Sequence, residues 1–267
     1  MTAVPTDVMV LDTAGTRPIS FSRLIRVELR KMADTRAGLW LLVSIGLVTA
    51  LVMLIQIWVS AANDLPTDFH DFMVGTNTPM GVLLPVLGIL GVTQEWSQRT
   101  ALVSFTLVPS RTRLFAAKFV GLMIWAGGAA IVGLVLAAIA NLVFAGVSGE
   151  SIEWGVGATD IGLFFVLQAL GLATGFAFGT LFLSSPVAIV LYFVYSFVLP
   201  PLFGLGAALM DWFAKIQPWV DFSYAQSPLL SGSVSGKEWA HLAVSSLIWL
   251  VLPLVVGMWR VLRAEVK

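Results

Sequence analysis

Six long apolar runs, separated by short polar connections, make up most of the chain. They fall at about residues 39–61, 73–94, 117–145, 161–183, 186–203 and 241–260. A helix needs about 20 apolar residues to cross the hydrocarbon core of a bilayer, and each run is long enough to do so. The second is short in its apolar centre and carries Pro79 and Pro85, which places its start nearer Phe72. The third is long enough to tilt or to project beyond the bilayer. Lipid admits only helices or closed barrels, because backbone polar groups find no water there, and these runs lack the alternation of barrel strands. The expected fold class is all-α: a polytopic membrane protein with six transmembrane helices.

Ahead of the first run, "RPISFSRLIRVELRKMADTRAG" places Phe21, Leu24, Ile25 and Leu29 at helical spacing. Arg23, Arg26, Glu28, Arg30 and Lys31 surround them. This pattern predicts an amphipathic helix lying in the membrane interface, capped at Ser20 or Ser22, with basic side chains toward anionic lipid heads. A role limited to anchoring topology fits the same pattern. Residues 1–17 read as a disordered tail without the basic start and cleavable apolar core of a signal peptide. Residues 18–267 read as a single transmembrane domain.

Charge distribution sets the orientation. All but Lys215 and Lys237 of the fifteen Lys and Arg residues lie before the first run, between the second and third or at that connection's edge, or at the end of the sixth and beyond. The connections after the first and third runs carry Asp64, Asp68, Asp71, Glu150, Glu153 and Asp160 and no basic residue. The positive-inside rule then puts both termini and the connection between the second and third helices in the cytoplasm.

Composition agrees with the pattern. Hydrophobic residues are 58% and charged residues 11%, against roughly 45–50% and 25% in soluble domains. The absence of cysteine removes disulfides, thiolate metal sites and Cys nucleophiles. No G-x-x-x-x-G-K-[ST], G-x-S-x-G or H-E-x-x-H motif occurs, so nothing points to an enzyme or to ATP binding by that loop. With two histidines far apart, no metal centre is expected; a loop site at Asp64, Asp68, His70 and Asp71 is the weaker alternative to a solvated acidic loop.

Inside the spans the chief polar side chains are Gln56 and Gln168, with Asn141 near an end. Small residues recur in register at Gly171, Gly175 and Gly179, and at Ala129, Gly133 and Ala137. Such stripes let helix backbones approach closely, within the bundle or at a subunit interface or pathway. Pro200-Pro201 is expected to break the fifth helix, giving a broken or re-entrant element over about 200–219. Pro200, Pro201 and Phe203 would then form an outer gate, unless the aromatic residues there are only an interfacial belt.

The connection "EWSQRTALVSFTLVPSRTRLFAAK" interleaves Trp96, Phe105, Leu107 and Phe115 with charge, as a surface docked on another protein would. With the six spans and the amphipathic start, it resembles the permease subunits of type-2 ATP-binding-cassette exporters over nearly the whole chain. Members carry an acidic residue at the end of the second span, an Arg/Gly-Thr pair, a Pro-x-Arg element and a basic residue opening the third. Glu95, Arg99-Thr100, Pro109, Arg111 and Lys118 stand in those places, Arg99 where many members have Gly. The resemblance implies a half-transporter in the bacterial inner membrane, paired with a second permease, identical or different. Cassette ATPase subunits would drive it, holding the ATP and Mg, with no cofactor in this chain and no nucleic-acid partner. Glu95, Trp96, Arg99, Thr100, Pro109, Arg111, Arg113 and Lys118 would form the ATPase-coupling element beside the interfacial helix. The alternatives are an ATP-independent transporter or channel, which should show intramembrane ionisable groups or internal repeats, and a non-transporting scaffold.

Overall fold

The computed structural model describes residues 19–98, 100–149 and 151–263. The expected tail at 1–17 and the coupling candidate Arg99 lie outside them. Among the described residues there is no strand, and six helices are long and apolar enough to cross a membrane. A helix α1 (Phe21–Asp34) precedes the first of them, α2 (Arg36–Ala62). Then come α3 (Phe69–Ser97), a short α4 (Ala101–Leu107), α5 (Arg111–Ser148), α6 (Ala158–Phe182) and α7 (Ser185–Leu209). Two short helices, α8 (Asp211–Val220) and α9 (Phe222–Gln226), lead to α10 (Gly236–Arg263). This is the architecture of a multi-pass membrane protein, with every expected span in place.

The bundle is built around α3 and α6, which form its most extensive helix pair. Close approach explains why. A Cβ on Gly175 would lie 1.9 Å from the Pro85 carbonyl oxygen, and one on Gly88 would lie 2.5 Å from that of Leu172. Only glycine lets the two backbones meet at this crossing. Gly179 meets Ile89 in the same seam, and Gly133 of α5 receives the Met80 side chain. The small-residue stripes thus pack within this chain. Leu84, Leu87, Leu122, Phe164, Leu172 and Phe176 fill the core around them. On the outside, α2, α7 and α10 keep long rows of exposed Leu, Val and Ile, as lipid-facing helices do.

Prolines inside the helices are accommodated by a side-chain donor at Pro85 and by widened turns at Pro200-Pro201 and Pro253. Pro85 lacks the N–H that would bond the Gly81 carbonyl, and the Tyr192 hydroxyl from α7 donates to that carbonyl instead at 3.1 Å. Pro200-Pro201 do not break α7. A π-helical turn at Val194–Val198 comes just before them, so the helix widens and runs on to Leu209. The turn at Leu247–Val251 stands in the same relation to Pro253 of α10. The chain leaves α7 at Met210, in extended backbone, and reverses into α8. The expected break therefore lies ten residues later than the prolines suggested.

Candidate functional site

Two polar assemblies occupy opposite ends of the bundle. The basic end is recognised by Arg111 and Arg113 in the first turn of α5. The Arg111 Nη1 donates to the Val261 carbonyl near the end of α10 at 2.6 Å. The Arg113 Nη2 donates to the Ile19 carbonyl before α1 at 2.6 Å. Both ends of the described chain are thereby held against the same turn. Arg260 of α10 donates to the Leu181 carbonyl at the end of α6.

Beside this turn, four charged side chains from three helices close into a ring. Lys118 of α5 lies 2.8 Å from Glu28 Oε2 of α1 and 2.9 Å from Glu95 Oε1 of α3. Lys31 lies 2.7 Å from Glu28 Oε1 and 2.8 Å from Glu95 Oε1. Lys118 is 3% exposed and Glu28 7%, so their charges depend on one another rather than on water. Lys31 sits at the open edge of the ring. Burial works against its ammonium charge, but Glu28 and then Glu95 outweigh it and hold the pKa above the ordinary lysine value. The Trp125 indole donates to the Leu29 carbonyl at 3.3 Å and adds a second tie between α5 and α1.

The apolar and basic faces of α1 follow from this. Leu24, Glu28 and Met32, one turn apart, point into the bundle, while Arg23, Arg26 and Arg30 are exposed. Ser20 stands at the N-cap position but its side chain makes no capping bond. Glu28, placed by periodicity among the interfacial residues, is a buried bundle contact instead.

The connection after α3 divides into an inner and an outer face. Trp96 and Phe105 stack edge to face at 6.1 Å, and the Arg111 guanidinium lies 4.7 Å from the Phe105 ring centre. Phe115 is buried against Phe176. Three of the four interleaved aromatic and apolar residues thus pack on this chain. What α4 presents outward is mainly aliphatic, with Thr106 among exposed Leu and Val: Leu102 is 51% exposed, Val103 57% and Leu107 67%. Thr100 and Pro109 are also exposed, flanking α4. Of the expected coupling residues, Glu95, Lys118, Arg111 and Arg113 brace the connection internally. Leu102 and Val103 carry no signal of their own in the sequence, because two apolar residues in a short polar connection have no periodicity to mark the face they occupy.

At the acidic end, the two acidic connections pack together. The Phe69 amide and the Asn141 side chain both donate to the Glu153 carbonyl, and Phe69 stacks with Trp154. Asp68, His70 and Asp71 gather within 4.8 Å of one another. Asp68 and Asp71 are engaged as a reciprocal cap of α3, and His70 Nε2 pairs with the Leu230 carbonyl. Gln56 donates to the Asp71 carbonyl at 3.1 Å and serves helix packing.

Next to these lies a cavity of about 370 Å³ bounded by α3, α6, α7, α9 and α10. Gln168 reaches into it and donates to Asn77 Oδ1 at 3.3 Å; Gly171, Pro200 and Phe203 also line it, whereas Pro201 is exposed. Tyr192, Tyr195, Asp221 and Trp249 complete much of its wall. Sequence reading missed these four and Asn77. A polar Asn77 two turns inside α3, opposite Gln168, was the available signal. The sequence matches no protein-family model and no curated protein.

Proposed function

We propose that the chain is the membrane-spanning permease subunit of an ATP-driven exporter, dimeric in its working form and driven by separate cassette ATPase subunits. The observation that carries the reading is the construction of the basic end. A short helix with an exposed aliphatic face, α4, is mounted on a connection braced to α1, α3, α5 and α10 by the charged ring and the two arginines. A partner that grips α4 can move several spanning helices at once, because the brace resists local bending. The exposed Leu and Val supply an apolar contact that a solvated loop does not need. Thr100, Pro109 and Arg99 belong to the same connection, and the positive-inside rule makes its side cytoplasmic. The exposed Arg23, Arg26 and Arg30 of α1 suit the anionic interface of a bacterial inner membrane.

Purification from native membranes should bring down a cassette ATPase, and export should need both components and be sensitive to vanadate. Full transport by this chain alone in liposomes would sink the reading. A non-transporting scaffold would associate with an ATPase, if at all, without substrate movement in the reconstituted pair.

A further inference from the structure

The cavity at the acidic end has a chemistry of its own. At about 370 Å³ it falls in the size range of small-molecule sites, about 300–1,000 Å³. Among the described residues that line it, Asp221 is the only Asp, Glu, Lys, Arg or His. The residue is 3% exposed. It accepts hydrogen bonds from the Tyr224 amide and the Gln217 side chain, both at 3.1 Å, and forms no ion pair among the described residues. Aromatic rings stand around the same space. Tyr195 and Trp249 lie 4.8 Å apart between ring centres, and Tyr192 lies 5.9 Å from Tyr195.

The backbone is adapted where these rings enter. Tyr195 belongs to the π-helical turn of α7 and Trp249 to that of α10, and the Trp249 indole is fixed by donating to the Val220 carbonyl, next to Asp221, at 2.7 Å. Such turns shift side chains out of α-helical register and recur at functional sites. Here both shifts deliver an aromatic side chain to one cavity.

A buried carboxylate without a counter-charge is unfavourable, and aromatic faces carry negative potential. Together they exclude anions and reward a cation whose body is apolar. We propose that this cavity binds a hydrophobic organic monocation, a quaternary ammonium or phosphonium of drug size. Its charged centre rests on the Tyr195 and Trp249 rings with Asp221 as counter-ion. As the cargo of an exporter, this ligand class rests on the function proposed above; the binding itself needs no ATPase.

The test uses the full chain in lipid nanodiscs, with empty discs subtracted, and radiolabelled tetraphenylphosphonium as the probe. Tetraphenylborate, an anion of the same shape, is run separately. Saturable binding is expected for the cation and none above empty discs for the anion. Asp221→Asn keeps an acceptor for the Tyr224 amide, and should weaken the cation about tenfold or more. Tyr195→Leu should weaken it severalfold, and Tyr195→Phe should bind as the parent does. Size-exclusion profiles establish that each variant is folded, and an unfolded Asp221→Asn leaves the Tyr195 pair to decide. No saturable cation binding, equal binding of both ions, or unchanged affinity in folded Asp221→Asn or Tyr195→Leu would overturn the proposal. Loss of ligand binding with ATPase capture intact removes the ligand class and leaves the coupling reading standing; the opposite result does the reverse.

Discussion

The two ends of the bundle handle buried charge in opposite ways. At the basic end, Glu28, Lys31, Glu95 and Lys118 neutralise one another completely and lock three helices together. At the acidic end, Asp221 is buried beside a cavity, held by two hydrogen bonds and with no ion pair among the described residues. A closed ring of charges leaves nothing for a ligand to satisfy, and its value is mechanical. A buried carboxylate beside a cavity, without a counter-charge, is what the proposed cation would complete. The α3–α6 pair runs between the two ends, and both helices line the cavity.

The largest expected effect comes from opening the ring. Lys118→Met should leave Glu28 and Glu95 buried with only Lys31 as partner and cost about 3–5 kcal/mol, read as a lower melting temperature in detergent. Adding Glu28→Gln should recover part of that loss, because it removes one of the stranded charges. If Lys118→Met melts as the parent does, the ring is not a brace and the comparison between the ends fails.

Separating the spine should cost somewhat less. Gly175→Ala forces its methyl onto the Pro85 carbonyl and is expected to destabilise by about 1–3 kcal/mol in the same melt. Gly171→Ala is the internal control. Its methyl would meet only the Pro85 Cγ at 3.8 Å, an ordinary contact, so little change is expected. Equal effects at both glycines would mean that the helices are not in close contact at Gly175.

The outward face of α4 should affect function without affecting the fold. Leu102→Asp with Leu107→Asp is expected to leave the melting temperature within about 0.5 kcal/mol equivalent of the parent, as exposed substitutions do. ATPase capture should fall sharply in the same preparation.

The smallest effect belongs to Lys31, whose side chain is 40% exposed. Lys31→Gln should cost under about 1 kcal/mol after solvent screening. Its pKa is raised on folding, so its contribution is fully present below the ordinary value of 10.5 and disappears as pH rises through the higher folded value. The difference between variant and parent should therefore stay constant from pH 7 to 9 and shrink only in strongly alkaline solution.

Local pattern made much of this legible. Hydropathy located all six spans, and charge asymmetry correctly grouped the connection after α3 with both ends of the described chain. The ring was not legible, because Lys31 and Glu95 are 64 residues apart and Lys118 and Glu28 are 90 apart. No local periodicity encodes which carboxylate a lysine will meet across helices. Pro200-Pro201 misled for a related reason. A proline signals a missing donor, but whether the helix breaks or widens depends on the turn before it, here Val194–Val198. The cavity was not legible because its aromatic residues read as ordinary span residues, and Tyr195 and Trp249, 54 positions apart, meet from two widened turns.

The absence of cysteine makes the central claim directly measurable. A single Leu107→Cys variant, carrying a short photoactivatable crosslinker, should be reconstituted in liposomes with the ATPase captured from native membranes. The account predicts a crosslink from position 107 to that ATPase, and substrate export that needs ATP and both proteins. Export by this chain alone, or ATP-driven export with no crosslink from position 107, would contradict it.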